Sequence, residues 1–506
     1  MINWDGTQYA RDYDLAKPFL SQLKELNEAT PQMALEVNYP TLVNSEYVNH
    51  AATAKNCYLI YTADECENVL YSEILAHIRD SMDCTRSQNL ELCCGNVNCA
   101  RCSKVFFSED CVDSSDLYFS YNCRGCQNCF GCMNLRRKSY HIFNEPYDKD
   151  SYFKKLESFK LGSFESIEKY KEEAHAFWLR FPRKFMQAGS KSVNVTGQNV
   201  IWSKNSRNCW NTVGVEDCRY CQIITMPSVK DSYDYTIWGN GAQRIYECMI
   251  VGEGADTVKF SSQCWPNVRN IEYSVFAISS HDLFGCANVR NKQYCILNKQ
   301  YAKEEYEALR ERIIKDMNEK PYVDANGRVF KYGEFLPYEL SPFGHNESYA
   351  ADFFPLTKEQ ALAQGFSWYE SEPNPYKPTI KAQELPDSIG DVKDAILDQI
   401  IECGTCKRPF KVIPLELTLL RRFNLPLPRA CSQCRYKERL ARINPSRLMK
   451  RKCMCGGANS EGQIAYRNTA RHPHGDGACP NEFETSYSPD QPEIIYCEAC
   501  YNAEVA

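Results

Sequence analysis

The sequence has no stretch approaching eighteen apolar residues, so hydropathy offers no membrane-spanning helix. Its first residues, MINWDGTQYARDYDLAKPF, do not join a basic segment to an apolar one, which argues against a secretory leader. The expectation is a soluble, unexported, cytoplasmic protein that uses no membrane. Also missing are GxSxG, a P-loop, a dinucleotide fingerprint and HExxH. Without them no residue is assigned a catalytic role, and the reading leans away from an enzyme.

What is abundant is cysteine. There are 28 in a chain of 506 residues that is 43% hydrophobic and 25% charged, apolar enough to fold. In a small secreted domain that number would signal disulfides, whereas in a long cytoplasmic chain it points to metal ligation or packing. Nineteen precede Lys320 and nine follow Ile400, so position separates two problems.

Every third residue from Cys57 to Cys132 is Cys, Ser, Ala, Val, Leu or Ile, with Asn96 the one exception. The residues between are largely Asp, Asn, Glu, Arg, Tyr and Ser. A helix repeats at 3.6 and a simple strand at 2, so neither sustains a period of three over this length. A narrow β-solenoid does, because short strands and tight corners turn one small side chain inward at fixed intervals. The spacing resembles that of small insect antifreeze solenoids, in pattern only. Cysteine also recurs at multiples of nine, and a coil of two strands over about eighteen residues is expected by analogy with nonapeptide β-rolls.

A second tract keeps the rule from Val200 to Ile224, slips, and resumes from Ile271 to Val289. The tracts end alike. "FGCMNLRRKSYHIFNEPYDKDSY" from Phe130 and "FGCANVRNKQYCILNKQYAKEEY" from Phe284 align at a shift of 154 residues. This is an internal duplication, each copy closed by an NxxY turn and a helix, over Lys149 to Phe159 and Lys303 to Met317, placed to cover an open edge.

"SYNCRGCQNCFGCMN" brings Cys123, Cys126, Cys129 and Cys132 together and superficially matches an iron–sulfur ligand run. It also continues the solenoid lattice, which makes these thiols stacked core residues. Core packing is the preferred reading; a bound cluster or zinc, and functional disulfides, stay open. "FWLRFPRKF" could stack on bases but fits an amphipathic segment packed on a neighbour better. Between Pro321 and Glu384 a Pro-, Tyr- and Phe-rich connector contains His345 beside Glu347, a pair read as structural.

The late cysteines are more specific. Cys403 and Cys406, then Cys431 and Cys434, form two CxxC knuckles, the pattern of a closed four-sulfur zinc site. With the following "LRRFNLPLPRACSQCR" the segment resembles a family of bacterial zinc ribbons, over about fifty residues; no reaction is implied. The last fifty residues resemble a second ribbon, with Cys479, Cys497 and Cys500 in the matching places. Cys479 lacks a cysteine three residues earlier, so Cys453 and Cys455 compete for the remaining position. Cys455 is favoured with Cys453 as substitute, and a dinuclear site or a histidine ligand, from His472 or His474, is a further alternative. Over nearly its full length the chain resembles bacterial proteins, themselves uncharacterised, that join a cysteine-rich repeat region to paired C-terminal zinc ribbons. The expected cofactor is Zn2+ at two structural sites.

From Ile401 to Lys452 there are fourteen Lys or Arg against three Glu, in a chain whose formal charge is −6. A basic helix leaving a zinc knuckle can neutralise phosphates, and Arg435, Lys437, Arg439 and Arg442 are the candidate nucleic-acid-binding residues. The competing reading docks this surface on the acidic solenoid of the same chain or on a protein partner.

The fold class expected is therefore mainly β. The order is an N-terminal helical or extended cap over 1–56, a first solenoid over 57–147 and a helical connector over 148–196. A second solenoid over 197–301 precedes a helix and extended linker over 302–400, a zinc ribbon with basic tail over 401–452 and a second ribbon over 453–506. The function expected is a non-catalytic zinc protein binding RNA or a ribonucleoprotein, with the solenoid as scaffold. The alternatives are a protein-interaction scaffold without nucleic acid, presenting a solenoid face to its partner, and, more weakly, a carbohydrate-active β-helix enzyme or an iron–sulfur protein.

Overall fold

The computed structural model describes residues 4–189, 191–457 and 466–505. The protein is mainly β and forms two compact units, each containing one solenoid. One unit comprises Met1–Met33, Met186–Ser371 and Pro445–Met449. The other comprises Ala34–Phe185, Glu372–Asn444 and Lys450–Ala506.

In the first solenoid, all parallel, Ala51 pairs with Ala63, Ser103 with Ser115 and Gln127 with Ser139. Each step is twelve residues, so a coil has four sides of three residues rather than the eighteen-residue, two-strand coil expected. The reason lies in the backbone. The residue before each inward side chain is left-handed, as in Asn56, Leu59, Thr62, Glu65 and Asn68, with φ between 51° and 55°. One such residue between extended neighbours makes a corner, and four corners close the coil. Cysteines nine apart then lie on adjacent sides of successive coils, which is why the Cys57 thiol faces the Cys66 carbonyl at 3.4 Å.

A left-handed L-residue costs roughly 1–2 kcal/mol, least for Asn and Asp. The sequence answers by placing Asn or Asp at many corners and bonding them in ladders. Asn44 donates to Asn56, Asn56 to Asn68 and Asn68 to Asp80, at 3.1, 3.0 and 2.7 Å. Gly95, Gly125 and Gly131 occupy the same corner phase. At Gly95 and Gly131 the glycine is needed for space as well, because a Cβ would meet the Phe107 or Phe143 ring, twelve residues on, at 2.6 or 2.5 Å.

The inward positions follow one polar rule. A core serine hydroxyl donates to the carbonyl two residues back and accepts the amide twelve residues on. Ser72 bonds the Leu70 carbonyl at 2.7 Å and the Cys84 amide at 2.9 Å, and Ser108 does the same with Phe106 and Ser120. Asn96 follows suit with its longer side chain, accepting from the Ser108 amide and donating to the Val105 carbonyl. The hydroxyls of Ser72 and Ser108 and the Asn96 amide are thus paired within the core. Cysteine sulfurs occupy the same places, the Cys93 thiol pointing at the Glu91 and Cys102 carbonyls. Cys123, Cys126, Cys129 and Cys132 are four successive inward positions, all buried. Their thiols face the carbonyls of Tyr121, Arg124, Gln127 and Phe130, and all 19 early cysteines are free and buried.

The second solenoid begins with the twelve-residue step, Gly197 beside Cys209, then lengthens. Val215 pairs with Val229 fourteen residues on and Gln243 with Asp256 thirteen on, before Arg269 and His281 restore twelve. These local insertions explain why the three-residue phase slips between Ile224 and Ile271.

The duplication is visible in the closing elements. His141–Pro146 and Ile142–Glu145 pair antiparallel, as do Cys295–Gln300 and Ile296–Lys299, positions 154 residues apart. Both turns place two left-handed residues at the bend, Phe143 and Asn144 or Leu297 and Asn298. Each Asn side chain then bonds both backbone groups of a residue in the last coil, Met133 or Ala287. The Asn amide therefore takes over the pairing that a further strand would supply. The helices that follow, Lys149–Ser158 and Lys303–Glu319, bury Tyr152 and Tyr306 at equivalent places.

Candidate metal centres and the basic helix

In the first C-terminal site, Cys403 and Cys406 flank the turn between strands Ile401–Glu402 and Pro409–Phe410, while Cys431 and Cys434 begin the helix Ser432–Ala441. The four sulfurs lie within 4.8 Å of one another. Cys403 to Cys434 is 3.9 Å and Cys406 to Cys431 is 3.8 Å. A tetrahedron with metal–sulfur bonds of about 2.3 Å has edges of about 3.8 Å, so the donor set fits a closed four-thiolate ion. Burial works to raise the Cys403 thiol, but the amides of Cys406 and Cys431 aimed at its sulfur outweigh that and bring it down to about 6. Burial raises the Cys431 and Cys434 thiols of the same group, so the bias toward the thiolate form belongs to Cys403.

The second site differs from expectation. Cys453, not Cys455, joins Cys479, Cys497 and Cys500, all four buried and within 4.8 Å, with Cys479 to Cys497 at 3.9 Å. The backbone decides this. The Cys453 amide bonds the Asn481 carbonyl and the Cys497 amide bonds the Cys453 sulfur at 3.2 Å, which draws Cys453 into the knuckle. Cys455 turns the other way, to His472, His474 and Cys500. Among the described residues only these three groups, all C-terminal, gather metal-ligating atoms so closely.

The four basic residues singled out from sequence lie on or just after the helix Ser432–Ala441. Arg435 donates to Asp83 at 2.8 Å and to Glu416 at 3.2 Å, with its guanidinium 4.9 Å from the Tyr71 ring centre. Arg439 donates to Asp83 at 2.8 Å, to the Thr85 hydroxyl and to the Tyr71 carbonyl. Arg442 reaches Glu109 at 3.2 Å. The Arg439 side chain is 3% exposed and that of Arg435 13%. Lys437 is exposed. Burial pushes the Glu416 carboxyl up, against the opposing pull of Arg435 and the Tyr71 hydroxyl. Three of the four cations thus face carboxylates of the same unit, two of them, Asp83 and Glu109, on the first solenoid. Sequence spacing pointed to the four-sulfur knuckles, but no local pattern marks Asp83 and Glu109 as partners 333 or more residues away.

"FWLRFPRKF" packs. Trp178 is buried, Pro182–Lys184 pairs with Ile494–Tyr496, and Arg183 lies over the Tyr121 ring at 4.3 Å, beside Glu493. His345 bonds the Phe354 carbonyl and Glu347 accepts from the Gly344 amide, so both serve local turns. No helix among the described residues is long and apolar enough to cross a membrane. No family model matches the chain, and no curated protein is similar to it.

Proposed function

We propose that this is a non-catalytic zinc protein acting as a structural scaffold in a reducing, cytoplasmic compartment. Zinc in the C-terminal sites fastens the basic helix to the first solenoid, whose remaining face is offered to a protein partner. The observation that carries this reading is the Asp83, Arg435 and Arg439 network: two cations of the basic helix are buried against the chain's own carboxylates. A closed four-thiolate site leaves no position for substrate. The 28 free cysteines support a compartment where thiols stay reduced.

The exposed solenoid side also satisfies its own charges between coils. Lys55 pairs with Glu67 at 2.8 Å, Glu67 with Arg79 at 3.5 Å and Arg101 with Asp113 at 2.5 Å. Such a surface suits recognition by shape and repeat more than by net charge. The test is retention of the full chain on RNA at about 50 mM salt, where phosphate contacts are strongest. The scaffold reading expects no retention, and none gained or lost on Lys437→Glu. Retention abolished by Lys437→Glu would replace it with the nucleic-acid reading.

A further inference from the structure

Cys455 is the one late cysteine left outside both four-sulfur groups, and its surroundings are those of a ligand. Its sulfur lies 3.2 Å from His472 Nδ1 and 3.3 Å from His474 Nε2, and with Cys500 Sγ these atoms all lie within 4.8 Å. Cys500 also belongs to the Cys453, Cys479 and Cys497 group. We infer that the second ribbon holds two zinc ions, one bound by Cys453, Cys479, Cys497 and Cys500, the other by Cys455, His472, His474 and Cys500, with the Cys500 thiolate bridging them.

The groups around this cluster hold its members in ligand-like orientations. The Glu504 carboxylate, with no exposed surface, lies 2.8 Å from His472 Nε2. It already accepts from the Tyr466 and Thr469 hydroxyls and the amides of Thr469 and Ala470. With Glu504 at Nε2, His472 turns its other ring nitrogen, Nδ1, toward Cys455. His474 presents a second ring nitrogen to the same sulfur, and Asn468 Nδ2 donates to that sulfur at 3.2 Å. Three nitrogens, His472 Nδ1, His474 Nε2 and Asn468 Nδ2, thus converge on one sulfur within 3.3 Å. A cation among Cys455, His472, His474 and Cys500 takes all four facing donor atoms at once.

The surrounding shell fits the same conclusion. Ligating histidines commonly pass their other N–H to a carboxylate, as His472 does to Glu504. Asn468 is itself oriented by the Tyr496 hydroxyl at 2.7 Å. Five thiolates and two neutral imidazoles around two Zn2+ leave a net charge of only −1, whereas an isolated four-thiolate zinc carries −2. Sharing Cys500 therefore reduces the charge that must be buried.

The inference rests on the zinc reading proposed above, and metal content of the purified full chain separates the two. It predicts about three zinc ions per chain, one in the first site and two in the second. Two ions in the wild type would overturn it, whereas no zinc at all would overturn the zinc reading itself. The variant His472→Ala with His474→Ala should lose one ion of the three and keep the Cys453 site; retention of all three would equally reject the assignment. Zinc-edge X-ray absorption of the wild type guards against a variant that misfolds. Two bonds of about 2.3 Å meeting at a tetrahedral sulfur place the metals about 3.8 Å apart, and a spectrum without a zinc–zinc distance in that range contradicts the bridge.

Discussion

Asp83→Asn is the most informative single change, because it keeps shape and a residue type that tolerates the left-handed corner while removing only charge. Asp83 stands at φ 54°, and its two oxygens receive Arg435 and Arg439 separately, each at 2.8 Å. The substitution turns one of those oxygens into an NH2 that faces a guanidinium, donor against donor. Removing one partner of a buried ion pair costs about 3–5 kcal/mol. The oxygen that remains, the Glu416 contact to Arg435 and the Thr85 and Tyr71 contacts to Arg439 offset part of this, leaving about 2–4 kcal/mol. A chain of two units need not unfold in one step, so the loss is read locally. Hydrogen exchange of the helix Ser432–Ala441 should quicken by about 30- to 700-fold, at 1.4 kcal/mol per factor of ten. Asp80→Asn is the control, since Arg422 opposite it is half exposed at 52% and such a pair is worth at most about 1 kcal/mol. Equal effects of the two substitutions would refute the claim that Asp83 anchors the helix.

Alkali should attack the first solenoid. Burial raises the thiols of Cys57, Cys99 and Cys102 to about 11 and that of Cys84 to about 12, from about 9 when unfolded. Their stability contribution is complete below pH 9 and is lost as pH rises through the folded values, roughly 2–4 kcal/mol per thiol. Thermal melts from pH 8 to 11 should therefore fall steeply above pH 9, and a flat profile would count against buried thiols. Corner glycines should differ by their surroundings. Gly131→Ala meets the Phe143 ring at 2.5 Å and should lower the melting temperature markedly, whereas Gly125→Asn has nothing nearer than Arg137 Cγ at 3.4 Å and a side chain suited to φ 62°, and should change it little. Equal shifts would refute the account of the corners.

The three-residue period was legible because each coil side turns one residue inward whatever the coil length. The coil length was not. Cysteines nine apart suggested a nine-residue unit, yet nine is one coil minus one side. The better signal was the residue before each inward position, where Asn56, Asn68 and Asp80, and again Asn122 and Asn134, mark corners twelve apart. The duplication was readable down to Asn144 and Asn298, since the closing turn needs the same side chain in both copies. CxxC spacing located the first four-sulfur group, because its two knuckles are local. It could not rank Cys453 against Cys455, which are separated by one residue and by which way the chain turns at Met454. Nor could it show where the basic helix lies. A surplus of positive charge reads the same whether its partner is a phosphate or an Asp more than 350 residues earlier.

The central claim is that the early thiols fill stacked coils while the late ones grip metal. Alkylation of the native protein, mapped by mass spectrometry with and without a strong chelator, tests it most directly. The 19 cysteines from Cys57 to Cys295 should stay unmodified in both conditions, and the nine from Cys403 to Cys500 should be protected until the chelator is added. Labelling of Cys123, Cys126, Cys129 and Cys132 that appears only with the chelator would place metal in the solenoid and contradict the account.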